Sequence, residues 1–350
     1  VVGVEQPAGP ARRHRGGAGL TLAAGAPAAD NDDSAGTLGV YLENDAFAGT
    51  DRYYTSGVLL TWSSPNLARY ADSPNASLFL PLFDLLPYIN RADYQKNLVF
   101  ALGQNIYTPD DTESFGLIGD DRPYAGWLYT GVGVVWKNER VRNSLMLNIG
   151  VVGSWSYAED AQRYVHDARG FDHPNGWDNQ LHNELGVTLA YERTWRFPHL
   201  ARRSGFEWEV LPHAGVVGGN VKSYANVGGE LRAGLNLPDD FGSGVIGPSA
   251  STSTPVDGSM AATRSWFPLG MYVFARVDGR AVANNIFLDG NTFGDSPSVG
   301  HNTFVADLSA GFAFNYKNTR LAYAFVYRTK EFSAQRQAQV FGTVSLNWTF

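Results

Sequence analysis

The chain has 350 residues and a net charge of −7, so its bulk charge offers nucleic acid no attraction. It contains no Cys, which excludes thiol catalysis, disulfides and thiolate-bound zinc. No run of 18 apolar residues occurs, which excludes a membrane-spanning helix, while 13% aromatic residues, 17% charged residues and 39 Gly suit many twisted strands joined by turns.

At the N-terminus, Arg12, Arg13, His14 and Arg15 precede a small-residue stretch ending in Ala26-Pro27-Ala28. Residues 1–36 fit either a remnant secretion signal with an A-x-A site or a disordered Ala/Gly tail, and the folded domain is expected over 37–350. Leu38, Val40 and Leu42 alternate with Gly39, Tyr41 and Glu43; after a polar bend, Val58, Leu60 and Trp62 alternate with Gly57, Leu59 and Thr61. Period two marks strands, so the bend joins a hairpin. Strict alternation groups Asp45 and Thr55 with Tyr41, Tyr53 and Gly57, opposite the Leu and Val face, which predicts a wet site at the mouth of a barrel. Asn44 then needs a bend or bulge to join it.

Residues 63–96 read as a Pro-rich connection with room for short helices. Strands are expected near 97–107, 124–136 and 144–153, the last with Leu145, Leu147, Ile149 and Val151 against Ser144, Met146, Asn148 and Gly150. A long insertion, 154–183, follows. Further strands are expected from 184, 207 and 224, then a loose Gly/Ser/Thr/Pro-rich loop over 239–263, then strands near 269–282 and 304–316. Leu321, Tyr323, Phe325 and Tyr327 alternate with Ala322 and Ala324. In the last segment Val340, Val344, Leu346, Trp348 and Phe350 alternate with Thr343, Ser345, Asn347 and Thr349.

About twelve alternating segments, aromatics near their ends, and connections alternately short and long predict an all-β fold. It is a transmembrane, antiparallel, up-and-down β-barrel of about 12 strands with a short helix in an extracellular loop. The terminal aromatic resembles the outer-membrane β-signal, which implies outer-membrane lipid and the barrel-insertion machinery as partners. A large soluble barrel or sandwich alternates similarly and is the competing architecture.

The insertion contains Ala158-Glu159-Asp160-Ala161-Gln162-Arg163-Tyr164-Val165-His166, of helical composition, in which Gln162 and His166 share a face. An imidazole held over a barrel mouth is a candidate general base, and a surface or structural His is the plainer reading. Asn44, Asp45, Asp51, Asp172 and Asp178 gather in outward loops. Such oxygen donors suit Ca2+ better than zinc, but each Asp taken alone reads first as a turn former or a solvated loop charge. Arg122 can hold a phosphate or carboxylate, or pair with Asp120 or Asp121. No G-x-S-x-G elbow, P-loop or H-E-x-x-H occurs.

Several stretches together resemble the outer-membrane lipid A 3′-O-deacylase family of Gram-negative bacteria. They are Glu43-Asn44-Asp45 with Thr50-Asp51-Arg52-Tyr53-Tyr54-Thr55-Ser56-Gly57, Gly103-Gln104-Asn105-Ile106-Tyr107-Thr108-Pro109, Asp121-Arg122-Pro123-Tyr124-Ala125-Gly126-Trp127, Gln162 with His166, and Gly176-Trp177-Asp178-Asn179-Gln180-Leu181 with Asn183-Glu184. The resemblance implies a twelve-stranded outer-membrane barrel with a Ca2+-dependent site between barrel wall and outer leaflet, acting on lipid A of lipopolysaccharide. By motif, His166 is the base, Gln162 its neighbour, Asn44 and Asp45 the first-loop pair with Asp45 near the metal, Thr55 a lining hydroxyl, and Asp172 the second acidic group. The family's second-loop Lys has no counterpart over 108–136, where Arg122 is the only basic residue. The alternative functions are a passive outer-membrane channel or structural barrel, whose lumen Glu230, Arg232, Arg276 and Asp278 would line or plug, and an outer-membrane phospholipase.

Overall fold

A computed structural model describes residues 36–48, 53–67, 69–70, 89, 91–197, 206–244, 246–247, 256 and 269–350. The segment 1–35, most of the 63–96 connection and Asp51 lie outside the described residues. The strands are β1 Thr37–Asn44, β2 Tyr53–Ser63, β3 Gln95–Thr108, β4 Ala125–Lys137, β5 Val141–Val152 and β6 Glu184–Trp195. They continue with β7 Phe206–Gly219, β8 Lys222–Leu235, β9 Leu269–Asn285, β10 Phe304–Tyr316, β11 Thr319–Arg328 and β12 Gln339–Thr349. Each pairs antiparallel with its chain neighbours, and β12 pairs with β1 to close the barrel. The rim reached by β1 at Asn44 is here the upper rim; the chain ends at the lower one.

Alternation assigns each side chain to one of two environments. Leu38, Leu60, Leu102, Val273, Phe325 and Trp348 lie exposed on the outer wall, whereas Tyr41, Thr61, Glu209, Arg232, Ser345 and Asn347 are buried inside. An apolar belt around a closed barrel with a polar interior is the pattern of a sheet that crosses a bilayer. A cation on the outer face at mid-depth costs about 2–4 kcal/mol. That cost explains why Glu230, Arg232, Arg276 and Asp278 all take inward phases.

Inside, these charges pair off and leave no open pore among the described residues. His213 Nε2 lies 2.7 Å from Asp278 Oδ2, Arg328 holds Asp307 at 2.8 Å, and Arg196 reaches Glu209 at 2.9 Å. The expected loose loop after β8 is corrected: its described part, 236–244 and 246–247, enters the lumen from the lower rim. Asp240 is clasped by Arg232 and Arg320, Ser243 donates to Glu230 at 2.6 Å, and the Ile246 N–H donates to Glu43 Oε1 at 3.2 Å. Buried cations recruit this segment because an unpaired guanidinium in a dry barrel costs far more than ordering a loop. A cavity of about 140 Å³ remains above it, lined by Tyr54, Tyr129, Arg276 and Asp307 among others. That is room for ordered water.

The strict alternation of short and long connections also fails at 64–94. Its described residues Leu67, Tyr70, Ile89 and Tyr94 pack on Leu98, Val134 and Trp136 near the lower rim. At the upper rim, the one-turn helix Ile286–Asp289 and the 329–338 loop cover the lumen. Phe287 stacks on Tyr107 with ring centres 4.2 Å apart, and Phe332 meets Tyr53 edge-on at 6.1 Å.

Arg232→Ala should lower unfolding stability by about 3–5 kcal/mol, since it leaves Glu209 and Asp240 buried with fewer cations. The loss is read as a lower temperature for the folded-to-unfolded band shift on semi-native gels.

Candidate active site on the outer wall of the barrel

The first half of the site is built by β1 and β2. Asn44 keeps the outward phase of Leu38, Val40 and Leu42, after which Asp45–Ala48 turns in a 3-10 helix. Pairing of β2 with β3 slips between Tyr54 and Ser56, so Thr55 is a bulged residue. The irregularity thus falls on β2 and not at Asn44, where the sequence reading asked for it: β1 alternates strictly through Asn44. Asn44 Nδ2 donates to the Thr55 carbonyl at 3.0 Å, and the Thr55 and Thr108 hydroxyls lie 2.7 Å apart. Asp45 is 1% exposed. Pairing then continues the row from Asn44 through Ser56 and Ile106 to Gly126. At ordinary interstrand spacing the row spans about 14 Å of outer wall.

The second half is carried onto the same wall by the insertion after β5. Gly153 at φ 89 and Tyr157 at φ 55 turn the chain sharply, a conformation that costs a residue like Tyr on the order of 1 kcal/mol. The Asn183 side chain accepts from the Trp155 N–H at 2.9 Å and the Ser154 hydroxyl at 3.1 Å, holding that turn. Helix α1, Ala158–Arg169, follows. Glu159 and Asp160 sit in its first turn, His166 and Arg169 in its last, and Gly170 ends it in the left-handed conformation at φ 69. Charge order and cap both favour a helix here.

Its buried residues, Ala158, Gln162 and His166, recur at four-residue spacing and face the barrel. Ala158 packs with Ile106, Tyr124 and Trp177. Gln104 donates to the Ser156 carbonyl at 2.7 Å. Gly126 makes the close approach possible, because a Cβ there would collide with Ser156 Oγ and Ala158 Cβ. The helix thus lies against the outside of β3 and β4. The expectation of an imidazole over the barrel mouth is corrected accordingly: the mouth is already filled by lumen charges and rim aromatics.

Two contacts orient the polar pair. His166 Nδ1 lies 2.6 Å from the Asp172 backbone oxygen. A carbonyl only accepts, so Nδ1 carries the proton and Nε2 is the basic nitrogen. Trp177 Nε1 donates to Gln162 Oε1 at 3.0 Å, which turns the amide nitrogen of Gln162 the other way, where it is buried and has no hydrogen-bond partner. A buried orphan donor is costly unless something else occupies it. Trp177 is itself held by Tyr124, and the Asn175 and Asn179 side chains bond the carbonyls of Glu113 and Phe115. The second and third upper loops are therefore one unit.

The structure brings Gln162 and His166 together, and separately Asn44 and Thr55, on one face of adjoining strands. Asp172 meets His166 through its backbone carbonyl, and its side chain is exposed. Arg122 stands elsewhere, which corrects its placement with the site: it is 1% exposed, donates to Glu331 Oε2 at 2.8 Å, and lies over the rings of Tyr53, Tyr107 and Phe332. Neither Asp120 nor Asp121 is its ion-pair partner. The residues that sequence reasoning left without roles are Trp177, Thr108 and Glu331. The first two lie inside quoted motifs; Glu331 is 209 positions from Arg122 and has no local signal.

Asp45 is a buried carboxylate, and its neighbour Asn44 donates its amide N–H to the Thr55 carbonyl; carboxylate, amide and carbonyl oxygens are the donor types a hard cation takes. Among the described residues no three His, Cys, Asp or Glu converge as a metal cluster. A Ca2+ ion held here would thus take most of its ligands from amide, carbonyl and water oxygens.

A closed, apolar-belted barrel with a plugged lumen and an imidazole-bearing helix packed on its outer wall defines a membrane-spanning barrel with its candidate site on the outer wall. The chain belongs to the outer membrane protein LpxR family, whose profile matches residues 18–350. In fold it is similar to LpxR from Salmonella typhimurium, with a TM-score of 0.70 at 21% identity, covering 90% of this chain and all of that one. A more distant likeness is the β domain of the Bordetella autotransporter BrkA, with a TM-score of 0.44 at 8% identity over 90% of this chain and 99% of that one. No curated protein sequence matches the chain significantly.

The Arg122–Glu331 clasp makes rim stability pH-dependent. Burial alone would raise the Glu331 carboxyl, but the guanidiniums of Arg122 and Arg328 outweigh it and hold the pKa below the ordinary carboxylate value. The stabilisation is complete above the unfolded-state pKa and is lost as pH falls through the depressed folded one. Glu331→Gln should cost about 3 kcal/mol near neutrality and flatten the decline in gel-shift temperature as pH falls below the ordinary carboxylate range.

Proposed function

We propose that this protein is a lipid A 3′-O-deacylase. It hydrolyses the ester holding the 3′-acyloxyacyl group on lipid A, in the outer leaflet of the outer membrane, with Ca2+ as cofactor. The observation that carries this reading is the pairing of an Nδ1-anchored His166 with the orphan amide of Gln162, on the barrel wall that lipid reaches rather than in the lumen. Family membership supports the same reading.

In this mechanism His166 Nε2 takes a proton from water as the water oxygen bonds to the ester carbonyl carbon. The Gln162 amide donates to the oxygen that gains negative charge, and its orientation is fixed in advance by Trp177. On collapse, the C–O bond to the sugar breaks and His166 returns the proton to the departing 3′ oxygen. The products are the free acyloxyacyl acid and a 3′-hydroxyl. Asn44 and Thr55 fix the first-loop edge of the cleft, and Asp45 supplies the carboxylate for Ca2+. The ion, when bound, would polarise the ester carbonyl as a Lewis acid.

A passive channel is disfavoured by the filled lumen, and a phospholipase predicts a different product. Mass spectrometry of lipid A from cells expressing the full chain distinguishes these. Wild type should remove a 3′-linked acyl pair; His166→Ala should lower the rate by about 10²–10⁴-fold and Gln162→Ala by about 10²-fold. Chelation of Ca2+ should abolish the reaction reversibly. Unchanged lipid A beside a folded wild-type barrel refutes the proposal, and fatty acid released from glycerophospholipid instead favours the phospholipase.

A further inference from the structure

Arg169 ends the same stripe of α1 that carries the site. At 100° per residue, Ala158, Gln162, His166 and Arg169 fall within about 80° of the helix circumference. Arg169 is one turn beyond His166. The first three are buried against the barrel, whereas Arg169 is exposed. The same face thus runs from barrel contact, through the orphan amide and the imidazole, to an exposed cation at the end of the helix.

Its position is held by aromatic packing. The C-terminal cap folds the chain back, with the Phe171 N–H donating to the His166 carbonyl at 2.9 Å. Phe171 then meets the imidazole edge-on with ring centres 5.8 Å apart, and the Arg169 guanidinium lies 5.4 Å from the Phe171 ring centre. The Phe171 ring thus touches both groups, and it holds the guanidinium without consuming its hydrogen-bond donors. No carboxylate pairs with it among the described residues. Arg163 is engaged by Glu159 at 2.7 Å, Asp167 by His173 at 2.6 Å, and Arg122 is sealed in the rim with Glu331.

The geometry points to Arg169 as the residue that recognises the anionic headgroup of the substrate, by binding the phosphate on the ring carbon next to the scissile 3′ ester. This inference rests on the deacylase reading and extends it to substrate choice. A planar guanidinium gives a phosphate two parallel N–H contacts. On a phosphorylated glucosamine, the 4′ phosphate and the 3′ ester leave neighbouring carbons, as Arg169 and His166 leave neighbouring turns. Held there, the phosphate fixes which ester faces His166.

The test compares the full-length protein and its Arg169→Gln and Arg169→Lys variants in detergent micelles, on lipid A with the 4′ phosphate and on the same lipid without it. Wild type should favour the phosphorylated lipid by about tenfold in kcat/KM, mostly through KM. R169Q should bring that ratio close to one, and R169K should keep part of it. A ratio in R169Q equal to that of wild type overturns the inference even though deacylation proceeds. Binding of both lipids to H166A, with and without R169Q, gives a readout that needs no turnover. Loss of the preference for the phosphorylated lipid in H166A/R169Q supports Arg169 even where wild type releases no acyl group, an outcome that would sink the deacylase reading alone. Equal binding of the two lipids by H166A overturns the inference.

Discussion

Pairing of β1 with β12, from Thr37 opposite Thr349 to Asn44 opposite Gly342, is the contact on which everything else depends. A sheet crossing hydrocarbon cannot leave an edge of unpaired amides and carbonyls, so the first and last strands must meet. Once they do, alternation leaves a side chain only two destinations. Polar groups go inside, where they must satisfy one another, or to the rims, where the apolar belt ends. The lumen takes the first course with its chain of Arg, Asp and Glu pairs. The candidate site takes the second.

This division accounts for where chemistry is feasible. Among the described residues the lumen charges are held by polar partners, and a group so committed is a poor acid, base or ligand for anything else. On the outer wall, by contrast, α1 lies across strand ends that would otherwise meet lipid headgroups, and its buried face carries an amide nitrogen with no hydrogen-bond partner. The small side of Gly126 and the turn at Gly153 and Tyr157 are what bring the helix down onto the barrel wall.

Much of this was legible in the chain because period two is a direct physical consequence of the pleat. All twelve strands were expected, with errors of a few residues at their ends, such as β5 beginning at Val141 rather than near 144. The shared face of Gln162 and His166 followed from helical spacing; the irregularity that parity asked for at Asn44 is found on β2 at Thr55 instead. What was not legible depends on distant partners. Nothing near Arg122 announces Glu331, so a buried structural clasp was indistinguishable from a phosphate ligand. The segment after β8 reads as a loose loop because its ordering comes from Arg232 and Arg320, on two different strands. The site moved from mouth to wall for the same reason: only closure shows that the mouth is full.

The segment threaded into the lumen carries a consequence for how the molecule is made. It follows β8 in the chain, yet its grips come from both earlier and later elements: Glu43 on the first strand, Arg232 beside it, and Arg320 on the eleventh, which also donates to the Gly242 carbonyl at 2.9 Å. An assembly intermediate of eight strands therefore holds the segment by one flank only, with Asp240 lacking half its cations. The stopper is gripped from both flanks only in the closed cylinder, so its seat exists only where the wall is complete.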